Sequence, residues 1–106
     1  MNQWEIATYT FPGVGGHPAV IVSHPLRAER KETVEVLLCT TLRAGQAPGA
    51  HEVVLDGADG LDWSTLCRCD LIYSIPRHDL TALRGKVSLA RQREIIRKII
   101  ASHGWV

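Results

Sequence analysis

Aromatic residues are scarce in this chain: 6% of 106 residues, with one Phe, two Tyr and three Trp. A module that grips peptides in an exposed aromatic groove needs more of them, so a plain adaptor ranks last among the functions considered. Cysteine is scarce as well, three in all. An odd count without a secretory leader excludes a disulfide framework and predicts reduced thiols in a cytoplasmic protein. Cys67-x-Cys69 and Cys39 lack the two-residue gap and the following His pair of a zinc site, so no metal and no cofactor is expected. No apolar run is long enough to span a bilayer, and no membrane partner is expected. The net charge of +1 excludes a strong overall pull toward polyanions. The length suits one domain, residues 1–106, with 45% hydrophobic residues to fill its core.

Charge is instead polarised along the chain. Arg84, Lys86, Arg91, Arg93, Arg97 and Lys98 crowd the C-terminal part against the single acid Glu94, while Glu52, Asp56, Asp59 and Asp62 share a stretch with no base. This permits an anionic partner without requiring one.

In chain order, Trp4 to Phe11 reads as a strand. Pro12-Gly13-Val14-Gly15-Gly16 breaks it. This loop lacks the Lys-Ser/Thr and helix start of a nucleotide P-loop, and on composition it is a flexible connector. Ala19 to Ser23 is a short buried strand entered through His17-Pro18. Residues 26–32 are charged and read as a surface loop. Val34 to Thr41 and His51 to Leu55 are strands separated by a Gly/Pro loop, and Asp56 to Gly60 has turn chemistry. Pro76 to Leu83 is mixed, with room for one helical turn, and Gly85 to Val87 is briefly extended. Ser88 is placed to cap a helix whose apolar positions, Leu89, Gln92, Ile95, Ile96, Ile99, Ile100 and His103, recur at three- and four-residue spacing before Gly104. About five strands followed by one helix predict a mainly β, α+β fold: a small antiparallel barrel with a C-terminal α-helix.

The chemistry-bearing stretch is Ser64 to Ile75. It reads as a strand, and residues two apart on a strand share a face. Arg68 and Asp70 therefore project together, with Cys67, Cys69 and Leu71 on the opposite, core-facing side. A guanidinium beside a carboxylate is either an ordinary ion pair or the start of an acid–base site, and these residues alone leave both open.

Four stretches in register resemble the PemK/MazF family of type II toxin–antitoxin endoribonucleases. They are Phe11 to Ser23 with its Gly loop and His17-Pro18, Thr40-Thr41 at a strand end, Gly60 to Asp70 with its Arg-Cys-Asp, and Gly85-Lys86-Val87-Ser88 before the amphipathic helix. The resemblance implies an SH3-like barrel, a homodimer, metal-independent cleavage of single-stranded RNA at short sequences, and neutralisation by a cognate antitoxin. It also assigns residues. Arg68 and Asp70 fall on a catalytic Arg-Cys-Asp pattern, Thr40 on an active-site threonine, and His17 where many members have Arg. Ser64 falls on a hydroxyl position near the cleaved phosphate; Thr41 and Gly16 are further candidates for contacting RNA, as is Arg84, which lies just before Gly85 outside the helix. His for Arg weakens a permanent phosphate contact, because imidazole is only partly charged near neutral pH. A non-catalytic CcdB-like toxin on the same barrel, poisoning a protein such as gyrase, is the alternative.

These residue types suit the chemistry. RNA carries its own nucleophile, the 2′-OH, so cleavage needs a base, here Asp70, and a cation to hold charge growing on the phosphate, here Arg68. The acid for the leaving 5′-oxygen is left between Arg68 and His17, a guanidinium being a reluctant proton donor. Thr40 and Ser64 can hold phosphate oxygens. Tyr73, Trp63 and Tyr9 are available as stacking surfaces for bases. His24, His51, His78 and His103 are expected to be solvated or locally bonded.

Overall fold

Every predicted strand forms, and one more joins them. In the computed structural model, which describes residues 1–105, the elements are β1 (Glu5–Phe11), β2 (Gly15–Ile21), α1 (Pro25–Arg30), β3 (Thr33–Thr41), β4 (Glu52–Leu55), β5 (Thr65–Pro76), β6 (Thr81–Lys86) and α2 (Leu89–Ser102). Short 3-10 turns stand at Gly57–Asp59 and Arg77–Asp79. The strands form one sheet in the order β4-β5-β3-β2-β1-β6, each neighbouring pair antiparallel. The sheet curls into a half-barrel, as the predicted fold class requires.

Alternation along the strands gives the sheet two apolar faces. Ile6, Val20, Leu37, Val53, Cys67 and Cys69 pack with Ile95 of α2 on one. Ala7, Ala19, Ile21, Val36, Leu38 and Ile75 pack with Ala28 of α1 on the other. There Phe11 is held edge-on between Tyr9 at 4.8 Å and Tyr73 at 5.0 Å.

Four expectations change. Residues 25–30 are helical where a loop was expected. Pro25 takes the first helical position, His24 Nδ1 accepts the Leu26 N–H at 3.2 Å, and Ala28 is buried. Six residues are too few for a periodic signal, and packing decides the matter. Thr81 to Lys86 is a full edge strand, longer than the brief extended segment expected, because β1 supplies its ladder. Ser88 does stand at the helix N-cap, but its side chain makes no capping bond; its N–H donates to Asp59 Oδ1 at 2.8 Å instead. Along α2 only Ile95 is fully buried, Leu89 and Ile96 are exposed, and His103 lies outside the helix as its exposed C-cap.

One buried Ile contributes about 2–3 kcal/mol, too little to hold α2 by itself. The rest comes from Arg91. Its Nη1 reaches Asp59 Oδ2 at 2.6 Å and Asp56 Oδ1 at 2.6 Å, and its Nη2 reaches Asp56 Oδ2 at 3.0 Å. The Asp59 side chain has no solvent exposure and also accepts the Asp56 N–H at 3.0 Å. Burial pushes the Asp59 carboxyl pKa up, but the N–H groups of Ser88 and Asp56 and the Arg91 guanidinium outweigh it, and the net shift is downward. Asp56, bonded first to Arg91 and then to the Ala58 N–H, is lowered to about 2. The same turn bears on β6, where a side chain at Gly85 would collide with the Asp59 carbonyl oxygen.

Carboxylates with depressed folded-state pKa values stabilise the fold above their unfolded pKa, and that contribution disappears as pH falls through the folded values. Arg91→Ala leaves the Asp59 charge buried and unpaired and is expected to cost about 3 kcal/mol at neutral pH. In urea melts the gap between variant and wild type should narrow steadily from about pH 4 toward about pH 2. A gap that stays constant over that range would show that the ion pair is not its source.

Candidate functional site

Arg68 and Asp70 sit where β5 leaves its partner. Leu37 pairs with Ile72 but Cys39 pairs with Cys67, so β5 takes five residue steps where β3 takes two. Residues 68 to 71 stand opposite Leu38 alone and form a bulge. Within it the Cys69 N–H donates to the His51 carbonyl at 2.8 Å, and Arg68 pairs in register with Glu52 of β4. The bulge keeps Cys67 and Cys69 buried, with Arg68 and Asp70 on the other side as predicted. It also ends the alternation: Leu71, expected in the core, is 46% exposed.

Arg68 Nε and Asp70 Oδ1 are 4.0 Å apart, with side chains 43% and 44% exposed. At that distance and exposure the pair contributes less than about 1 kcal/mol, so neither group is committed to the other. Glu52, the register partner of Arg68, forms no ion pair with it, and its Oε1 accepts the Gly49 N–H at 2.6 Å. A cleft of about 320 Å³ is lined by Arg68, Asp70, Thr40, Gly49, Ala50, His51 and Glu52. A second, of about 360 Å³, is lined by His17, Thr40, Thr41, Arg43 and Gln46. Thr40 belongs to both, so the two clefts adjoin.

The pairing explains the arrangement. Ala19 pairs with Leu38, and the same register carried two residues on sets His17 across from Thr40. The clefts therefore cross four adjacent strands, β4, β5, β3 and β2. Asp70, Arg68, Thr40, Thr41 and His17, proposed from the sequence, come together here. Gly16, Ser64 and Arg84 are not among the residues lining either cleft. Gly16 is exposed on β2 opposite Thr10. The Ser64 carbonyl accepts the Leu42 N–H at 3.0 Å, and Arg84 lies over the Trp63 ring at 5.6 Å.

His51, Glu52, Arg43 and Gln46 escaped the sequence reading. His51 is expected from the sequence to be solvated or locally bonded. It instead lines the first cleft, and its Nδ1 is buried without a partner. Arg43 and Gln46 lock each other, the Arg43 N–H donating to Gln46 Oε1 at 3.0 Å and the Gln46 N–H to the Arg43 carbonyl at 3.0 Å. Only the β3–β4 connection folding back against β5 and β3 reveals any of these.

The chain matches a family model along residues 2–103, that of the PemK-like, MazF-like toxin of type II toxin–antitoxin systems. It belongs to that family. No curated protein matches it in sequence. Among solved structures, an endoribonuclease in complex with its cognate antitoxin from a mycobacterial species is 21% identical, with TM-score 0.83 over 98% of this chain and 95% of that one. The Mycobacterium tuberculosis toxin MazF-mt6 is 22% identical, with TM-score 0.80 over 94% and 96%. A MazE–MazF structure from Deinococcus radiodurans is 19% identical, with TM-score 0.77 over 98% and 95%. At these identities the likeness establishes a shared fold. Among the described residues of this toxin, no helix is long and apolar enough to cross a membrane.

The thiols behind the bulge are structural. Cys39, Cys67 and Cys69 are all free and fully buried. Contacts with Cys39 and Cys69, and then burial, push the Cys67 thiol well above its ordinary pKa. Thiolate is the reactive form, so iodoacetamide at about pH 8 should leave the native toxin unmodified, while the protein unfolded in guanidinium takes up three labels. Rapid labelling of the native state, read by mass spectrometry, would contradict this burial.

Proposed function

We propose that this toxin is an endoribonuclease that cuts single-stranded RNA, mRNA included, at a short sequence and without a metal ion, and that a cognate antitoxin silences it. The observation that carries the reading is the placement of Arg68, Asp70 and Thr40 around one cleft, with Arg68 and Asp70 only loosely paired. Asp70 takes the proton of the ribose 2′-OH. The 2′-oxygen then attacks the phosphorus, and the P–O5′ bond breaks, giving a 2′,3′-cyclic phosphate and a 5′-hydroxyl end. Arg68 holds the charge that builds on the non-bridging oxygens, and the Thr40 hydroxyl donates to one of them. Arg68 or His17 supplies the proton for the departing 5′-oxygen, His17 from the adjoining cleft across Thr40. Thr41, Gly16, Ser64 and Arg84 contact the strand on either side. Residues 1–106 act as one domain, in the cytoplasm where mRNA is found.

Two subunits complete the active form in this reading. Leu71, Ile72, Leu83, Leu89 and Ile96 are large apolar side chains left exposed, available to a contact between subunits. A two-fold contact is the commonest way to cover them. Sedimentation at micromolar concentration is expected to find a dimer; a clean 11.7 kDa species refutes it.

Asp70→Asn preserves shape on an exposed face and removes the base. It is expected to lower RNA cleavage by about 10²-fold or more, to relieve growth arrest, and to leave the melting curve unchanged. Full activity in this variant would remove Asp70 from the chemistry. Wild-type protein that arrests growth yet leaves RNA intact, even with a chelator absent, would favour the CcdB-like alternative.

A further inference from the structure

Single-stranded RNA needs somewhere to lay its bases, and the structure removes most candidates. Tyr9 and Tyr73 are half-buried and packed edge-on against Phe11. Trp4 packs against the core, and Trp105 stacks on His103 past the end of α2, ring centroids 4.4 Å apart. Trp63 is different. It is 51% exposed, it stands in the short connection entering β5, and the Arg84 guanidinium covers its ring.

Its position follows from the ladder. Thr41 pairs with Thr65, and the Leu42 N–H donates to the Ser64 carbonyl at 3.0 Å. The ladder ends there: Trp63 is the residue before Ser64, and Arg43, the residue after Leu42, lines the cleft with His17 and Thr41. Trp63 is thus one residue along the chain from a bond at the end of β3, next to a cleft that shares Thr40 with the one holding Arg68 and Asp70. Arg84 stands over the ring and Arg43 and His17 line the cleft, while Asp62 is the one acid next to Trp63 in the chain.

The Arg84 contact is a tertiary one. Gly85 presses on the carbonyl of Asp59, and this close approach brings the end of β6 onto the 59–63 stretch. A guanidinium over one side of an indole restrains the ring and presents a cation at its edge. An exposed, restrained ring with a cation beside it is the arrangement on which a base stacks while its phosphate is neutralised.

We propose that Trp63, held by Arg84, is the platform on which a nucleobase flanking the cleaved phosphate stacks. This rests on the nuclease reading above, and the test separates the two. Stacking discriminates weakly among bases, so Trp63 supplies affinity and sets the path of the strand, while the sequence is read elsewhere in the clefts.

The probe is a randomised single-stranded RNA ten-mer with every 2′-OH methylated, which binds without being cut. Binding is measured at several salt concentrations, and cleavage of the unmodified ten-mer is measured alongside. Trp63→Ala is expected to weaken binding about 10- to 100-fold, as loss of one stacked base does. It should leave the slope of log affinity against log salt unchanged, since no charge is lost. Trp63→Phe should recover much of the affinity. Arg84→Gln should weaken binding and reduce the salt slope by about 0.7. Unchanged affinity in Trp63→Ala overturns the proposal. So does a Trp63→Phe variant no better than Trp63→Ala, or a Trp63→Ala protein whose lost binding accompanies a fall to monomer in sedimentation, which would make Trp63 an interface residue. Wild-type binding with no cleavage of the unmodified RNA brings down the nuclease reading while leaving the platform standing.

Discussion

The buried carboxylate of Asp59 is the point on which the architecture turns. An open six-stranded sheet has two edges, here β4 and β6, and no ladder joins them. Asp59 lies in the turn leaving β4, gives its Oδ1 to the backbone entering α2, and shares Arg91 of that helix with Asp56. Its own carbonyl lies against Gly85 on β6. One residue therefore ties the two edges and the helix together. Isolated in an apolar interior, such a charge would be prohibitive; with three donors it becomes a fixed anchor. Only a residue without a side chain fits at position 85, because the two backbones meet there.

The clefts depend on this anchor at one remove. It sets the β4–β5 connection, hence where β5 begins and where Trp63 and Arg84 meet. From there the geometry is governed by the bulge at residues 68 to 71. A regular ladder through that point would have kept Leu71 in the core and held β5 against β3. At the bulge β5 leaves β3 while Arg68 still pairs with Glu52 of β4, and residues 49 to 51 of the β3–β4 loop line the cleft with Arg68 and Asp70. The three thiols behind it give small side chains where the strand must deviate, with no reactive role of their own.

Electrostatics in the cleft are kept loose. Glu52 faces Arg68 in register, and a direct salt bridge would have quenched the cation. No such bridge forms, and Oε1 of Glu52 accepts the Gly49 N–H. Arg68 and Asp70 touch only at the limit of an ion pair. By contrast, Arg91 is bound tightly and twice. The molecule thus holds one arginine as structure and another available to a ligand, a difference invisible in composition.

Much was determined locally. Strand-forming residues bounded by turn residues marked β1, β3, β4 and β5, and three- and four-residue spacing marked α2, because these signals depend on a residue's near neighbours alone. The separation of Arg68 and Asp70 from Cys67 and Cys69 followed from the two-residue period of a strand. Motif order carried the family and the barrel. What the tertiary structure decided was everything that needs distant segments to meet. Pro25 to Arg30 is helical because Ala28 finds a core, not because six residues favour it. Thr81 to Lys86 is a strand because β1 supplies its partners. Leu71 is exposed because of a bulge that no single-strand period contains. His51 and Arg43 line the clefts only because a loop folds back across β5 and β3. Hydrophobic period records which way a side chain should face; which side chain from elsewhere it will face is settled only when loop closure, pairing register and burial are satisfied together.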